Sequence, residues 1–237
     1  MRLIKQVINL SYMTSAKTPR RASGKRGAGR PGRDEPDLRA RLLDVAINRF
    51  AQEGIAATSL RTIAQEAGVT PAMLHYYFGD KQALKQALIQ ERLLPALAPT
   101  RAALAEKLYP ADLIATFVGG MSEVVSRNPW LPPLWVREVL CEGGELREIL
   151  FSEILPNLPR MLAQRFAQAQ ENGLLNRALD PRLLVVSLVG LTLFPAAGAP
   201  IWRRVFEADD LDPQAMARHT LALLSSGIAA PNEESSP

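Results

Sequence analysis

The stretch TSLRTIAQEAGVTPAMLHYYFGDK, residues 58–81, decides the fold. It reads as two short helices joined by a tight turn, a shape that can set a helix into the DNA major groove. Ser59 or Thr58 can cap the first helix by accepting a backbone N–H. Leu60, Ile63, Ala64 and Ala67 then fall on one helical face. Gly68 stands where the chain must turn, and glycine enters the left-handed region without steric cost. Thr70 offers a second N-cap, and Pro71 suits the first helical position because its missing N–H is not needed there. Gly79 closes the second helix, and Asp80 can cap the next.

Upstream, Asp37 is placed to cap a helix whose inner face is Leu38, Leu42, Leu43, Ala46, Ile47 and Phe50, closed by Gly54. Downstream, a fourth helix over 81–94 presents Leu84, Leu88 and Ile89 and is expected to stop at Pro95. The helical pattern then continues over 111–127, 131–142, 145–172, 181–194 and 213–228, with a long turn over 195–212. No alternating strand pattern appears. The expected fold class is all-α: an N-terminal three-helix helix-turn-helix head over 37–94, with its motif at 59–78, on a larger helical domain over 95–229. A basic, disordered arm over 1–36 and a polar tail over 230–237 frame it.

Charge is distributed unevenly. Nine basic residues, Arg2, Lys5, Lys17, Arg20, Arg21, Lys25, Arg26, Arg30 and Arg33, precede the first acid, Asp34; with 28 basic and 24 acidic residues in all, the remainder is net negative at −5. Such an arm can track phosphates or enter the minor groove, or serve only as a solubilising tail. The first twelve residues are too interrupted for a secretory leader, and Met13 is a plausible true start. Cys141 is the one cysteine, so no intramolecular disulfide or multi-cysteine metal site can form, and a reducing cytoplasm fits. Residues 183–202 carry no charge before Arg203, but Pro195 and Pro200 interrupt them. An internal or interface helix is therefore expected there rather than a membrane span.

The motif resembles that of the TetR family of bacterial regulators. The resemblance rests on Ile63-Ala64, Ala67-Gly68-Val69, the Thr70 cap, the aromatic run His75-Tyr76-Tyr77-Phe78, Asp80-Lys81 and Leu84, and covers residues 37–92. Many members carry Tyr in place of His75 and His in place of Tyr77. A recognition helix offers its first turn to base edges, which selects Thr70, Pro71, Ala72 and Met73. The resemblance adds a base or phosphate contact for Arg61, and phosphate contacts for Ser59, His75, Tyr76 and Lys81. Burial habit puts Tyr77 and Phe78 in the head core. Tyr76 can serve packing or phosphate, and His75 can equally be an exposed side chain with no partner.

The resemblance further implies a homodimer on palindromic double-stranded DNA and a small-molecule pocket in the middle helices. Candidate pocket residues are Phe117, Met121, Trp135, Arg137, Phe151 and Leu155, with Glu138 and Cys141 as further polar groups; each apolar one also reads as plain core. The last two apolar helices are the dimer candidates through Leu184, Leu188, Leu191, Leu221 and Leu224, with an intramolecular core as the alternative. The function expected is a ligand-responsive transcriptional regulator in the cytoplasm, a repressor ahead of an activator, with no cofactor, no metal and no membrane partner. A helical enzyme is the rival class. Only His75, His219 and Cys141 could feed nucleophilic chemistry, and no metal or phosphate-loop motif appears. An architectural DNA binder is the third reading.

Overall fold

The protein is described from a computed structural model over residues 35–149, 152 and 157–228. The basic arm before Glu35, the tail after Ile228, Phe151 and Leu155 lie outside the described residues. Twelve α-helices and no strand are found among those described. The first, α1 (Glu35–Glu53), begins two residues earlier than the Asp37 cap expected, so Asp37 lies within it. Its Leu42, Leu43, Ala46, Ile47 and Phe50 are all buried, as their spacing requires. The head continues with α2 (Leu60–Glu66), α3 (Pro71–Phe78) and α4 (Lys81–Leu88).

The chain does not stop at Pro95. A π turn (Ile89–Leu93) joins α4 to α5 (Leu94–Ala105), which carries Pro99 in its interior. The π turn shifts the Leu94 N–H onto the Ile89 carbonyl. Pro95 has no N–H for the Glu91 carbonyl, and the Arg92 guanidinium donates to that oxygen at 3.1 Å instead. The head boundary expected at residue 94 thus falls within one helical run, and head and body helices belong to one compact unit.

The body comprises α6 (Pro110–Arg127), α7 (Leu131–Trp135) with a second π turn (Val136–Leu140), α8 (Arg147–Ile149), α9 (Leu158–Glu171), α10 (Pro181–Ala197), α11 (Ala199–Phe206) and α12 (Pro213–Ile228). Two expectations fail here. The single helix over 145–172 is divided: Asn157 is a helix N-cap, and α9 restarts after it with Pro159 in its first turn, where the missing N–H is not needed. The long turn over 195–212 contains α11, and α10 runs through Pro195 to Ala197. α6 packs against α5, α10 and α12, and α10 against α9, so α6 and α10 form the centre of the body.

No single helix among the described residues is long and apolar enough to cross a membrane. The pair α10 and α11 is apolar enough together but bends by 69° at its break. Leu184, Val185, Leu188 and Leu193 of α10 lie in the protein's own core.

Candidate nucleic-acid interface and effector cavity

The head is built around capped helix starts. Ser59 Oγ accepts the Thr62 N–H at 3.0 Å, Thr70 Oγ1 accepts the Met73 N–H at 3.3 Å, and Asp80 Oδ1 accepts the Ala83 N–H at 2.8 Å. Thr58, the alternative cap, is buried and donates to the Gly54 carbonyl. Gly68 turns the chain between α2 and α3 with φ +67°. Leu74 is fully buried and Phe78 nearly so, while Thr70, Pro71, Ala72, Met73, His75 and Tyr76 are exposed, Tyr76 at 73%. The leading turn of α3 therefore faces outward while its other side is anchored in the core.

Long cations hold that posture. Arg39 of α1 lies over the Phe78 ring, 4.5 Å from its centroid, and donates to the Tyr77 carbonyl at 3.1 Å and to Glu91 at 2.5 Å. Arg41 donates to the Ala67 carbonyl at 3.1 Å, satisfying the end of α2. Arg49 pairs with Glu66 and Glu53, tying α1 to α2, and hydrogen bonding to Glu66 raises its pKa above the ordinary value.

The other candidate contacts differ in freedom. Arg61 is exposed and makes no hydrogen bond or ion pair among the described residues. Lys81 Nζ donates to the Ala56 carbonyl at 3.1 Å, which leaves two N–H groups for another acceptor. His75 is not partnerless: Nδ1 meets the Gly79 carbonyl, which can only accept, so Nδ1 is the donor. Arg61, His75 and Ser59 are exposed, as is the first turn of α3, and Lys81 is half-buried.

Within the body lies a cavity of about 120 Å³, lined almost wholly by apolar atoms. Of the candidate pocket residues, Phe117, Met121 and Trp135 line it. Arg137 does not; it is exposed, with its Cδ close to Gly54. Cys141 is exposed as well. Ile89, Leu93, Leu97, Thr100, Arg101 and Leu104 form a wall that sequence reasoning missed. Their spacing is helical, but the stop expected at Pro95 hid its continuity.

Both π turns border this cavity and both reach the head. Ile89 and Leu93 line it from the helical run that begins at Asp80, and Val139 lines it from the second turn. Glu138, in that second turn, is only 4% exposed. One of its carboxylate oxygens accepts the Ile55 N–H in the α1–α2 loop at 2.8 Å; the other accepts the Glu145 N–H at 3.0 Å. Lys85 of α4, also buried, pairs with Glu145 at 3.0 Å.

Two family models match this architecture. Residues 42–88 match the bacterial regulatory proteins of the tetR family, and residues 110–225 match the tetracyclin repressor-like C-terminal domain. The chain belongs to the TetR family. The HTH-type transcriptional regulator BetI of Brucella anthropi is 36% identical over 84 residues, 35% of this chain and 43% of that protein. The chain thus spans less than half the length of the BetI relatives it matches. UidR of Escherichia coli is 25% identical over 194 residues, covering 80% of this chain and 92% of that one. Among solved structures, the ketosteroid regulator KstR2 of Mycobacterium tuberculosis superposes with a TM-score of 0.67 at 21% identity, over 81% of this chain and 94% of that chain. FadR of Bacillus subtilis, solved with stearoyl-CoA, gives 0.60 at 22%, over 80% and 98%.

Of the residues proposed from the sequence for a TetR-type dimer face, Leu184 and Leu188 point into the chain's own core. Leu191, Leu221 and Leu224 are half-buried. The exposed apolar positions on α10 are instead Leu183, Val186 and Phe194, in line with Gly190; Leu223 is exposed on α12. A helix apolar on all sides gave no sequence signal as to which stripe faces inward.

Proposed function

We propose that this TetR-family chain is a homodimeric, cytoplasmic transcriptional regulator, and specifically a repressor released from a palindromic operator by a small apolar effector. The outward display of residues 70–76 on a helix anchored by Leu74 and Phe78 carries the reading. Met73 and Ala72 offer apolar surface to thymine methyl groups, Thr70 and Arg61 offer hydrogen bonds to bases, and Ser59, His75, Tyr76 and Lys81 suit phosphates. One head reads one half-site, and a two-fold dimer would set two about 34–36 Å apart.

The apolar cavity supports an effector with a hydrocarbon or ring body, and Arg101 at its lining suits a polar or anionic end. The ketosteroid and stearoyl-CoA named for the two neighbours agree with that chemistry. An effector that spreads the cavity wall displaces the π turn holding Glu138, and with it the Ile55 loop of the head. Operator affinity falls by the effector's preference for that displaced state, and by no more. The test is protection of the DNA flanking the protein's own gene by the full chain. A footprint with two-fold symmetry is expected. Binding to random duplex with equal affinity at raised salt would replace the regulator with an architectural binder.

A further inference from the structure

A second cavity, of about 170 Å³, lies between α6, α10, α11 and α12 and shares no lining residue with the first. α6 separates the two: Phe117 and Met121 face one, Val118 and Ser122 the other. The bend between α10 and α11 shapes the second. It leaves the Pro195 carbonyl without a helical partner, and Trp202 Nε1 donates to that oxygen at 2.7 Å, fixing the indole as a wall.

The polar side chains around this space are largely committed. Ser122 donates to the Pro213 carbonyl, Thr192 to the Leu188 carbonyl, and Asp212 accepts the Ala215 N–H at 2.6 Å. Arg203 is different. One terminal nitrogen donates to the Leu211 carbonyl at 2.6 Å and the guanidinium lies 5.4 Å from the Trp202 ring centroid, yet Nε is buried with no acceptor. Arg203 has no ion pair among the described residues. Arg203 therefore lines the cavity as a cation that no carboxylate pairs with among the described residues, which suits an anionic guest.

We propose that this cavity is a second small-molecule site, for a compact aryl or branched alkyl monocarboxylate whose oxygens accept from the Arg203 guanidinium that lines it. An apolar cavity of roughly 150 Å³ holds a benzene ring, so the volume suits a ring with one small substituent. Asp212, also in the lining, opposes a second negative charge on the guest.

The probe is 4-fluorobenzoate, titrated into the full chain and followed by fluorine NMR, with 4-bromobenzoate soaked into crystals to place the ring. Saturable binding is expected, with bromine anomalous signal among Val118, Leu191 and Met216 and the carboxylate at Arg203. Arg203→Gln, which keeps the side chain's girth, is expected to weaken binding roughly tenfold or more while the melting temperature stays close to wild type. Should that variant lose the fold, 4-fluorobenzyl alcohol on the wild type probes the same contact: it should bind far more weakly than the acid, and equal binding would remove Arg203 from the site. No binding at millimolar probe, full affinity in Arg203→Gln, or bromine in the first cavity each overturns the site. Neither arm involves DNA, so its failure leaves the regulator reading untouched.

Discussion

Glu138 joins three segments through two oxygens, and its energetics follow from burial. Truncation to alanine leaves the buried Ile55 N–H without an acceptor, which costs about 1–3 kcal/mol. Glu138→Ala should therefore lower the urea midpoint clearly, and Glu138→Gln, which keeps one acceptor, less so; equal stability of all three would remove the brace. Gly144 belongs to the same unit, since a Cβ there would lie 2.3 Å from the Glu138 carbonyl oxygen. In the head, Arg61→Ala is expected to weaken operator binding far more than random duplex. Lys81→Ala should weaken all duplexes alike and lower the salt slope by about 1. Equal losses on both DNAs for Arg61→Ala would take it out of base readout. The exposed first turn of α3 was legible from Thr70 and Pro71 because a cap and its proline are local signals. The role of Glu138 was not, because its partners are backbone groups of Ile55, far away in sequence, and of a nearby loop.

At the scale of the element, the helix starts of the motif at Ser59, Thr70 and Asp80 were legible, and helix ends at Pro95 and Pro195 were not. Ser59, Thr70 and Asp80 cap as their spacing implies, since a cap depends only on three or four neighbours. Pro95 and Pro195 fail as stop signals because a lost hydrogen bond is a cost that a helix can absorb; at Pro95 a π turn and Arg92 take up the freed carbonyl, and α10 runs on through Pro195 to Ala197. α10 starts on Asp180, whose carboxylate accepts the Arg182 N–H at 2.8 Å and pairs with the Arg182 guanidinium at 2.5 Å. The Arg182 side-chain hydrogen bond, then its backbone N–H, hold the Asp180 carboxyl well below the usual range. A pKa lowered in the folded state adds stability that is complete above the unfolded value of about 4 and is lost as pH falls through the folded one. Asp180→Asn should accordingly flatten the acid limb of the urea midpoint below about pH 4 and leave its slope at neutral pH unchanged. Because the pair is exposed, the difference should be small and shrink with salt. An unchanged acid limb would show that the pair is equally formed in the unfolded chain.

For the whole molecule, the question is which apolar surface remains uncovered. Leu183, Val186, Gly190 and Phe194 recur at helical spacing along one exposed stripe of α10, opposite the buried Leu184, Val185 and Leu188. Leu223 of α12 and Ile201, Val205 and Phe206 of α11 are exposed as well. Apolar side chains gathered in this way mark an association surface, and a two-fold contact places each twice. A Cβ at Gly190 would meet no atom of its own chain within 4 Å, so that position is open to a facing helix. If the proposed dimer uses this stripe, Val186→Asp and Phe194→Asp convert it to a folded monomer by light scattering, with helical content and melting largely kept. Leu188→Asp, placing a charge at a site with no exposure, should instead unfold the chain. The monomer should then bind an isolated half-site as wild type does and lose most of its advantage on a full palindrome, because linking two half-sites adds an effective concentration that a single head lacks. A Phe194→Asp protein that stays dimeric would move the interface off this stripe, and with it the basis for reading two half-sites at once.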